Sequence, residues 1–266
     1  MNNFMCVDRV AFTLFGHEIY WYGVFMCLAI VSCIVMAVIY CKKRELPLDT
    51  PINVALVAIP FAILGGRLFA VLFDANLELS DYFKFRDGGM SIMGCIVGAS
   101  LSLTVYSIIK AKITKSSDIF LYFDVICAVL LLGQAIGRWG NFFNGEVYGQ
   151  YVSSSSIFSR FPFAVEINGV RYQALFFFEC VTNFIGFIFT SQMFLQVRKD
   201  GYTTGFYLMY YGVTRAILEK YRQPAFILKI GSIPVSTACS ILMIVAGAVV
   251  LGISIYRHKK KKEAVR

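Results

Sequence analysis

Two short stretches concentrate the side chains capable of chemistry. GRWGNFFNGEVYG, residues 137–149, sets one arginine, two asparagines, one glutamate and four glycines at the end of a hydrophobic run. YYGVTRAILEKYRQP, residues 210–224, spaces Tyr211, Arg215, Glu219 and Arg222 at i, i+4, i+8 and i+11, one stripe of a helix that Pro224 brings to an end. Arginine suits an anion at a dry site, because its planar fork donates two parallel charge-assisted bonds and keeps its charge when desolvated. Asn141 and Asn144 can donate to ester or glycerol oxygens, and Glu146 can fix an arginine or take a proton. Gly137, Gly140, Gly145 and Gly149 let the backbone turn and approach a ligand closely.

The elements that must position these residues lie in lipid. Of 266 residues 58% are hydrophobic and only 15% charged, and the mean hydropathy is +0.68, outside the range of soluble chains. The expected fold is an all-α integral membrane protein, a single polytopic domain without internal repeats. Runs near 20–41, 50–73, 89–109, 119–138, 174–196, 203–219 and 233–256 give about seven transmembrane helices, the sixth the shortest. With the basic tail RHKKKKEAVR placed inside, the inside segments carry 14 of the 25 Lys and Arg, so the amino terminus is expected outside and the carboxyl terminus in the cytoplasm. The first run ends in CKKRE without a small-residue cleavage site, which makes it a retained span. The longest segment off the membrane is 139–173, outside, where Asn168 and Gly169 form a turn between strand-like pieces and a small hairpin is expected. Residues 74–88 and 220–232 form the other outer loops.

Composition also excludes several functions. The net charge of +9 does not call for nucleic acid, because the basic residues cluster at span ends. The eight cysteines have no C-x-x-C spacing and most sit in apolar runs, where they act as small hydrophobes. Only His17 and His258 could offer imidazole, so neither a catalytic metal nor a cofactor is expected. Gly94 with Gly98 and Gly133 with Gly137 have the spacing of close helix packing, whereas Gly145 with Gly149 lies beyond its span.

Ionisable groups at membrane depth cost about 2.5 kcal/mol or more each and so mark interiors or wet cavities with a function. Span two carries Arg67, span four ends on Arg138, span five holds Glu179 and Asn183, and span six holds Arg215 and Glu219. All except Asn183 belong to the outer half of the membrane or its edge. Arg215 and Glu219 alone would make a self-neutralising pair. With Arg67 and Arg138 directed to the same leaflet, the excess positive charge requires an anionic partner, most economically a phospholipid phosphate.

These residues resemble a known family. GRWGNFFNGEVYG is similar to the Gly-Arg-x-x-Asn-Phe-x-Asn-x-Glu-x-x-Gly motif of the prolipoprotein diacylglyceryl transferases, bacterial inner-membrane enzymes. YWYG at 20–23, LGGRLFAVLFD at 64–74, RDGGMSIMG at 86–94 and YYGVTRAILEKYRQP at 210–224 follow in the family's order, so the resemblance covers nearly the whole chain. It implies seven spans with an outside amino terminus, and transfer of the diacylglyceryl group of phosphatidylglycerol to the thiol of a lipobox cysteine in a prolipoprotein signal peptide, releasing glycerol 1-phosphate. By resemblance Arg138 and Arg215 hold the phosphate; Tyr22, Asn141, Asn144 and Glu146 complete the polar site; Glu219 and Arg222 partner Arg215. Arg138, Arg215, Glu146 and Tyr22 are thus the expected catalytic residues, and Arg67 and Gly149 join Asn141, Asn144, Glu219 and Arg222 in binding the lipid.

Two segments depart from the pattern. The family's Gly-Gly-x-x-x-His-Gly, sometimes with Tyr for His, is GGMSIMG here, and the thioether of Met93 is no useful proton acceptor. The His-Pro-x-x-Leu-Tyr-Glu segment is QALFFFE at 173–179, which keeps Glu179 alone. A missing general base slows a reaction by typically ~10²–10⁴-fold without abolishing it. A cysteine thiol, with its free pKa near ~8.5, needs little help. Glu146 or Glu219 can receive the proton, and His17 is a remote alternative. The departures favour, as the alternative to a transferase, a weak or inactive phospholipid-binding paralogue. A transporter fits less well, since the ionisable residues cluster at one face and there is no repeat symmetry.

Overall fold

The computed structural model describes residues 9–73, 78–83, 90–115, 119–146, 148–167, 169–224, 227, 229–230 and 233–264. Asn168 and the Arg86–Gly89 part of the RDGGMSIMG match lie outside the described residues. The chain opens with a hairpin of β1 (Val10–Leu14) and β2 (His17–Tyr20), followed by α1 (Trp21–Lys43), α2 (Asp49–Phe73), α3 (Ile92–Thr114) and α4 (Ile119–Asn144). A second hairpin, β3 (Ala164–Ile167) and β4 (Val170–Gln173), precedes α5 (Leu175–Val197) and α6 (Tyr202–Glu219). A short pair, β5 (Lys229–Ile230) and β6 (Ile233–Pro234), leads into α7 (Val235–Ala264). Among the described residues six helices, all but α6, are long and apolar enough to cross a membrane. The protein is thus mainly helical and spans the membrane several times, with three two-stranded antiparallel sheets among the described residues, beyond the all-α expectation.

The chain divides into two compact units, one of Cys41–Ile126 and one of Met1–Tyr40 with Cys127–Arg266. The Cys41–Ile126 unit is built on glycine contact. A Cβ on Gly65 would lie 2.5 Å from the Gly94 carbonyl oxygen, and one on Gly98 would collide with the Phe61 carbonyl, so α2 and α3 touch backbone to backbone. The Gly94 and Gly98 spacing therefore has its packing role. Val54, Ala58, Leu103 and Tyr122 form the buried core beside this seam. Arg67 is fully buried here and its Nε donates to the Tyr82 carbonyl at 3.3 Å. Met93 lies in the first turn of α3 and is partly exposed.

In the other unit, Gly133 of α4 approaches Cys33 of α1, with room of only 2.7 Å to its sulfur for a Cβ, and Gly137 sits over Met26. Gly205 and Gly212 of α6 give α7 the same close approach. Hydroxyls also tie the helices: Tyr40 donates to Ser191 Oγ at 2.9 Å, and Tyr210 to the Thr182 carbonyl at 2.7 Å.

α3, α4 and α7 run past their expected ends, α3 to Thr114 and α7 to Ala264. Hydropathy ends span four at residue 138, but α4 runs on to Asn144 because WGNFFN holds no proline. Gly145 then closes the helix at φ 68°, with its N–H bonded to the Phe142 carbonyl and that of Glu146 to the Asn141 carbonyl. That pair of bonds is a Schellman stop, which glycine allows at low cost. The expected Asn-Gly hairpin is present, with Ile167 opposite Val170 and Gly169 at φ 78°.

Candidate active site

Carrying α4 two turns further places Arg138, Asn141 and Asn144 all on helix. Aromatic packing then brings that helix end to its neighbours. Phe142 and Trp139 meet Phe176 of α5 at ring distances of 4.7 and 5.5 Å, and Phe143 stacks on Trp21 of α1 at 5.0 Å. Phe176 precedes Glu179 by one turn, so this contact carries the glutamate to Arg138.

Glu179 is the centre of the site. It is 3% exposed, its Oε1 accepts a hydrogen bond from Arg215 Nη1 at 3.0 Å, and its Oε2 lies 2.8 Å from Arg138 Nε. Arg222 Nη2 stands 3.8 Å from the same Oε1. Glu219, also buried, lies 2.8 Å from Arg215 Nη2 and 3.8 Å from Arg222 Nε. Three guanidiniums thus share two carboxylates, leaving one positive charge in excess. Burial pushes the Arg222 guanidinium below its usual value, with Arg215 and Arg138 pushing the same way and both glutamates opposing.

Distance and alignment disagree in this cluster. Glu179 Oε2 and Glu219 Oε2 are within ion-pair reach of arginine nitrogens but accept no aligned hydrogen bond, and Arg222 Nε makes none among the described residues. Buried charges normally complete their hydrogen bonds, and the cost of leaving them incomplete is high. Of the three atoms only Arg222 Nε is a donor, so it is the one with hydrogen-bonding capacity left for an anion entering among the arginines.

The expected site residues divide into groups. Arg138, Arg215, Glu219 and Arg222 come together as above. Asn141 accepts from Arg138 Nη1 at 3.4 Å. Tyr22 lies against Gly140, where a Cβ would come within 2.9 Å of its ring, and both Tyr22 and Tyr211 are close enough to Arg138 to act on its charge. Asn144 and Glu146 pair with each other at 3.3 Å on the exposed end of α4. Gly149 bridges to Arg222, its N–H donates to the Gln173 carbonyl at 2.8 Å, and a Cβ there would meet Gln173 and Tyr221. These contacts fix the backbone that carries Arg222. Arg67 belongs to the other compact unit.

Sequence reasoning left Glu179 out of the site. The signal was present in QALFFFE, where the glutamate alone keeps the family's pattern. Gln134 went unnoticed as well, although it precedes Arg138 by one turn. Among the described residues no group of His, Cys, Asp and Glu has the geometry to hold a metal.

A multi-pass membrane protein with arginines gathered on buried glutamates is of a class equipped to hold an anionic group within a largely apolar fold. The sequence profile described as prolipoprotein diacylglyceryl transferase matches residues 9–253, and the chain belongs to that family. Its similar relatives include phosphatidylglycerol–prolipoprotein diacylglyceryl transferases of Finegoldia magna, 34% identical over 98% of both chains, and of Clostridium botulinum strain Langeland, 36% identical over 90% of this chain and 94% of the relative. A Clostridium perfringens protein named phosphatidylglycerol–prolipoprotein diacylglyceryl transferase 1 is 33% identical over 97% of this chain and 99% of its own.

Proposed function

We propose that this chain transfers the diacylglyceryl group of phosphatidylglycerol to the thiol of a lipobox cysteine in prolipoprotein signal peptides, in the bacterial cytoplasmic membrane with its amino terminus outside. The observation that carries the reading is the gathering of Arg138, Arg215 and Arg222 on Glu179 and Glu219. Its single excess positive charge matches a phosphodiester monoanion.

The reaction follows from that match. Sulfur attacks the glyceryl carbon that bears the phosphate, the S–C bond forms as the C–O bond breaks, and the electron pair leaves on the phosphate oxygen of glycerol 1-phosphate. Negative charge grows on the phosphate as it departs, so arginines fixed in advance bind the transition state better than the substrate. Arg138 and Arg215 take the phosphate, and Asn141 and Asn144 orient the glycerol. Glu219 and Arg222 keep Arg215 in place. Glu146 receives the thiol proton, a role favoured by its exposure and by a partner, Asn144, that is neutral. Tyr22 closes the site over Gly140, and Gly149 sets the backbone of Arg222. Arg67 is assigned to the lipid on the family motif alone.

The test supplies purified protein with phosphatidylglycerol and a lipobox peptide. Thioether-linked peptide and glycerol 1-phosphate should form in equal amounts, and Arg138→Ala should lower the rate by about 10²–10³-fold. Lipid binding that survives Arg138→Ala would remove the site assignment. Met93 favours a second reading, a lipid-binding paralogue with little activity; binding without thioether product would establish it. A large rate gain in Met93→His would show that proton removal limits the reaction.

A further inference from the structure

Beside the arginine cluster, side chains of α4 and α6 meet in one more polar pair. Gln134 Nε2 donates to the Tyr207 hydroxyl at 3.0 Å. Tyr207 is buried at 5% exposure and stacks on Tyr211 with ring planes 7° apart. Tyr211 in turn acts on Arg138. The other end of the Gln134 carboxamide, Oε1, is buried and has no hydrogen-bond partner among the described residues.

A carboxamide kept within a membrane span with one end unused is costly. Packing alone would be served better by leucine against phenylalanine. Gln134 also precedes Arg138 by four residues, so it lies on the same face of α4 and about 6 Å further along the helix, away from the Asn144 end. In a phospholipid the carbonyls of the acyl esters sit about that far below the phosphate. Those carbonyls accept hydrogen bonds and donate none.

We propose that Gln134 is the ester-binding residue of the lipid site: its carboxamide takes an acyl-ester carbonyl of the diacylglyceryl group whose phosphate Arg138 holds. This rests on the lipid reading given above. An ester carbonyl requires a donor, so the carboxamide turns over when lipid binds. Tyr207 then donates its hydroxyl hydrogen to Gln134 Oε1, and Nε2 donates to the ester. Tyr207 is the positioning residue, since its hydroxyl can serve the carboxamide in either orientation. The consequence is a site that recognises the diester linkage as well as the head group.

Diester phosphatidylglycerol and its diether analogue, which lacks both carbonyls, separate this subsite from the phosphate site. Binding of each lipid to the full-length protein in detergent is measured by titration calorimetry, and thioether formation is measured separately. The unmodified protein should bind the diester about tenfold tighter than the diether, the worth of one hydrogen bond in a buried site. Gln134→Met should erase the preference by weakening the diester alone, and Tyr207→Phe, which keeps the ring stack, should reduce it in part. Equal affinity for both lipids in the unmodified protein, or an equal loss on both in Gln134→Met, overturns the proposal. A diester preference that depends on Gln134 with no thioether product would leave the subsite standing and end the transferase reading instead.

Discussion

Arginine enters the helical part of this protein in two ways. In the Cys41–Ile126 unit, Arg67 is wholly buried beside a seam of glycines and gives its Nε to a backbone carbonyl. In the other unit, Arg138, Arg215 and Arg222 crowd onto shared carboxylates whose hydrogen bonds are incomplete. The carbonyl contact holds Arg67 within its own unit. Several guanidiniums pressed together raise one another's cost, and that cost is tolerated where an anion will share it. An arginine in a hydrophobic span thus carries little meaning until its neighbours on other helices are known.

The comparison breaks most sharply at Glu179. Glu179→Ala leaves Arg138, Arg215 and Arg222 facing one another, and loss of a buried partner typically costs about 3–5 kcal/mol. Thioether formation should fall by about a thousandfold or more; an unchanged rate would show that Glu179 does not organise the arginines. Gly98→Val strikes the other seam, where even a Cβ meets the Phe61 carbonyl. Overpacking of that kind should lower stability by about 2–3 kcal/mol, read as a lower Tm, without changing lipid affinity of the folded protein.

Smaller changes sharpen the contrast. Gly140→Ala pushes on the Tyr22 ring and should reduce the rate about tenfold with little change in Tm, because a misplacement near 1 Å is felt by catalysis before stability. A parallel fall in Tm and rate would reduce Gly140 to packing. Arg67→Lys keeps the charge but loses the planar donor to Tyr82, so about 1 kcal/mol of stability should go. A rise in the KM for phosphatidylglycerol in this variant, at unchanged Tm, would support the assignment of Arg67 to the lipid.

The helices were legible in the sequence because each is a long apolar run, and all seven begin within a few residues of the hydropathy limits. The end of α4 was not, because a hydropathy window stops at the first cluster of polar residues while the helix stops only at Gly145. The hairpin at Gly169 announced itself through its turn residues. The one at the start of the chain did not, since its turn sets Phe15 at φ 51°, a conformation that phenylalanine seldom signals. The cationic half of the site could be read locally, in a motif and in a helical stripe. Its anionic centre could not, because FFFE gives Glu179 no partner nearby and the partners arrive from α4, α6 and the segment after α6.

The bridge between Gly149 and Arg222 ties the end of one motif to the end of the other. The Gln150 side chain reinforces it by donating to the Lys220 carbonyl, and the Gln223 N–H by donating to that of Tyr148. Two stretches separated by some sixty residues are therefore inherited as one object. A side chain at 149 demands a new backbone path at 221 and 222, so substitutions on the two sides should arise in pairs, and chimaeras that join one relative's first motif to another's second should fail at this clasp before they fail at any charge.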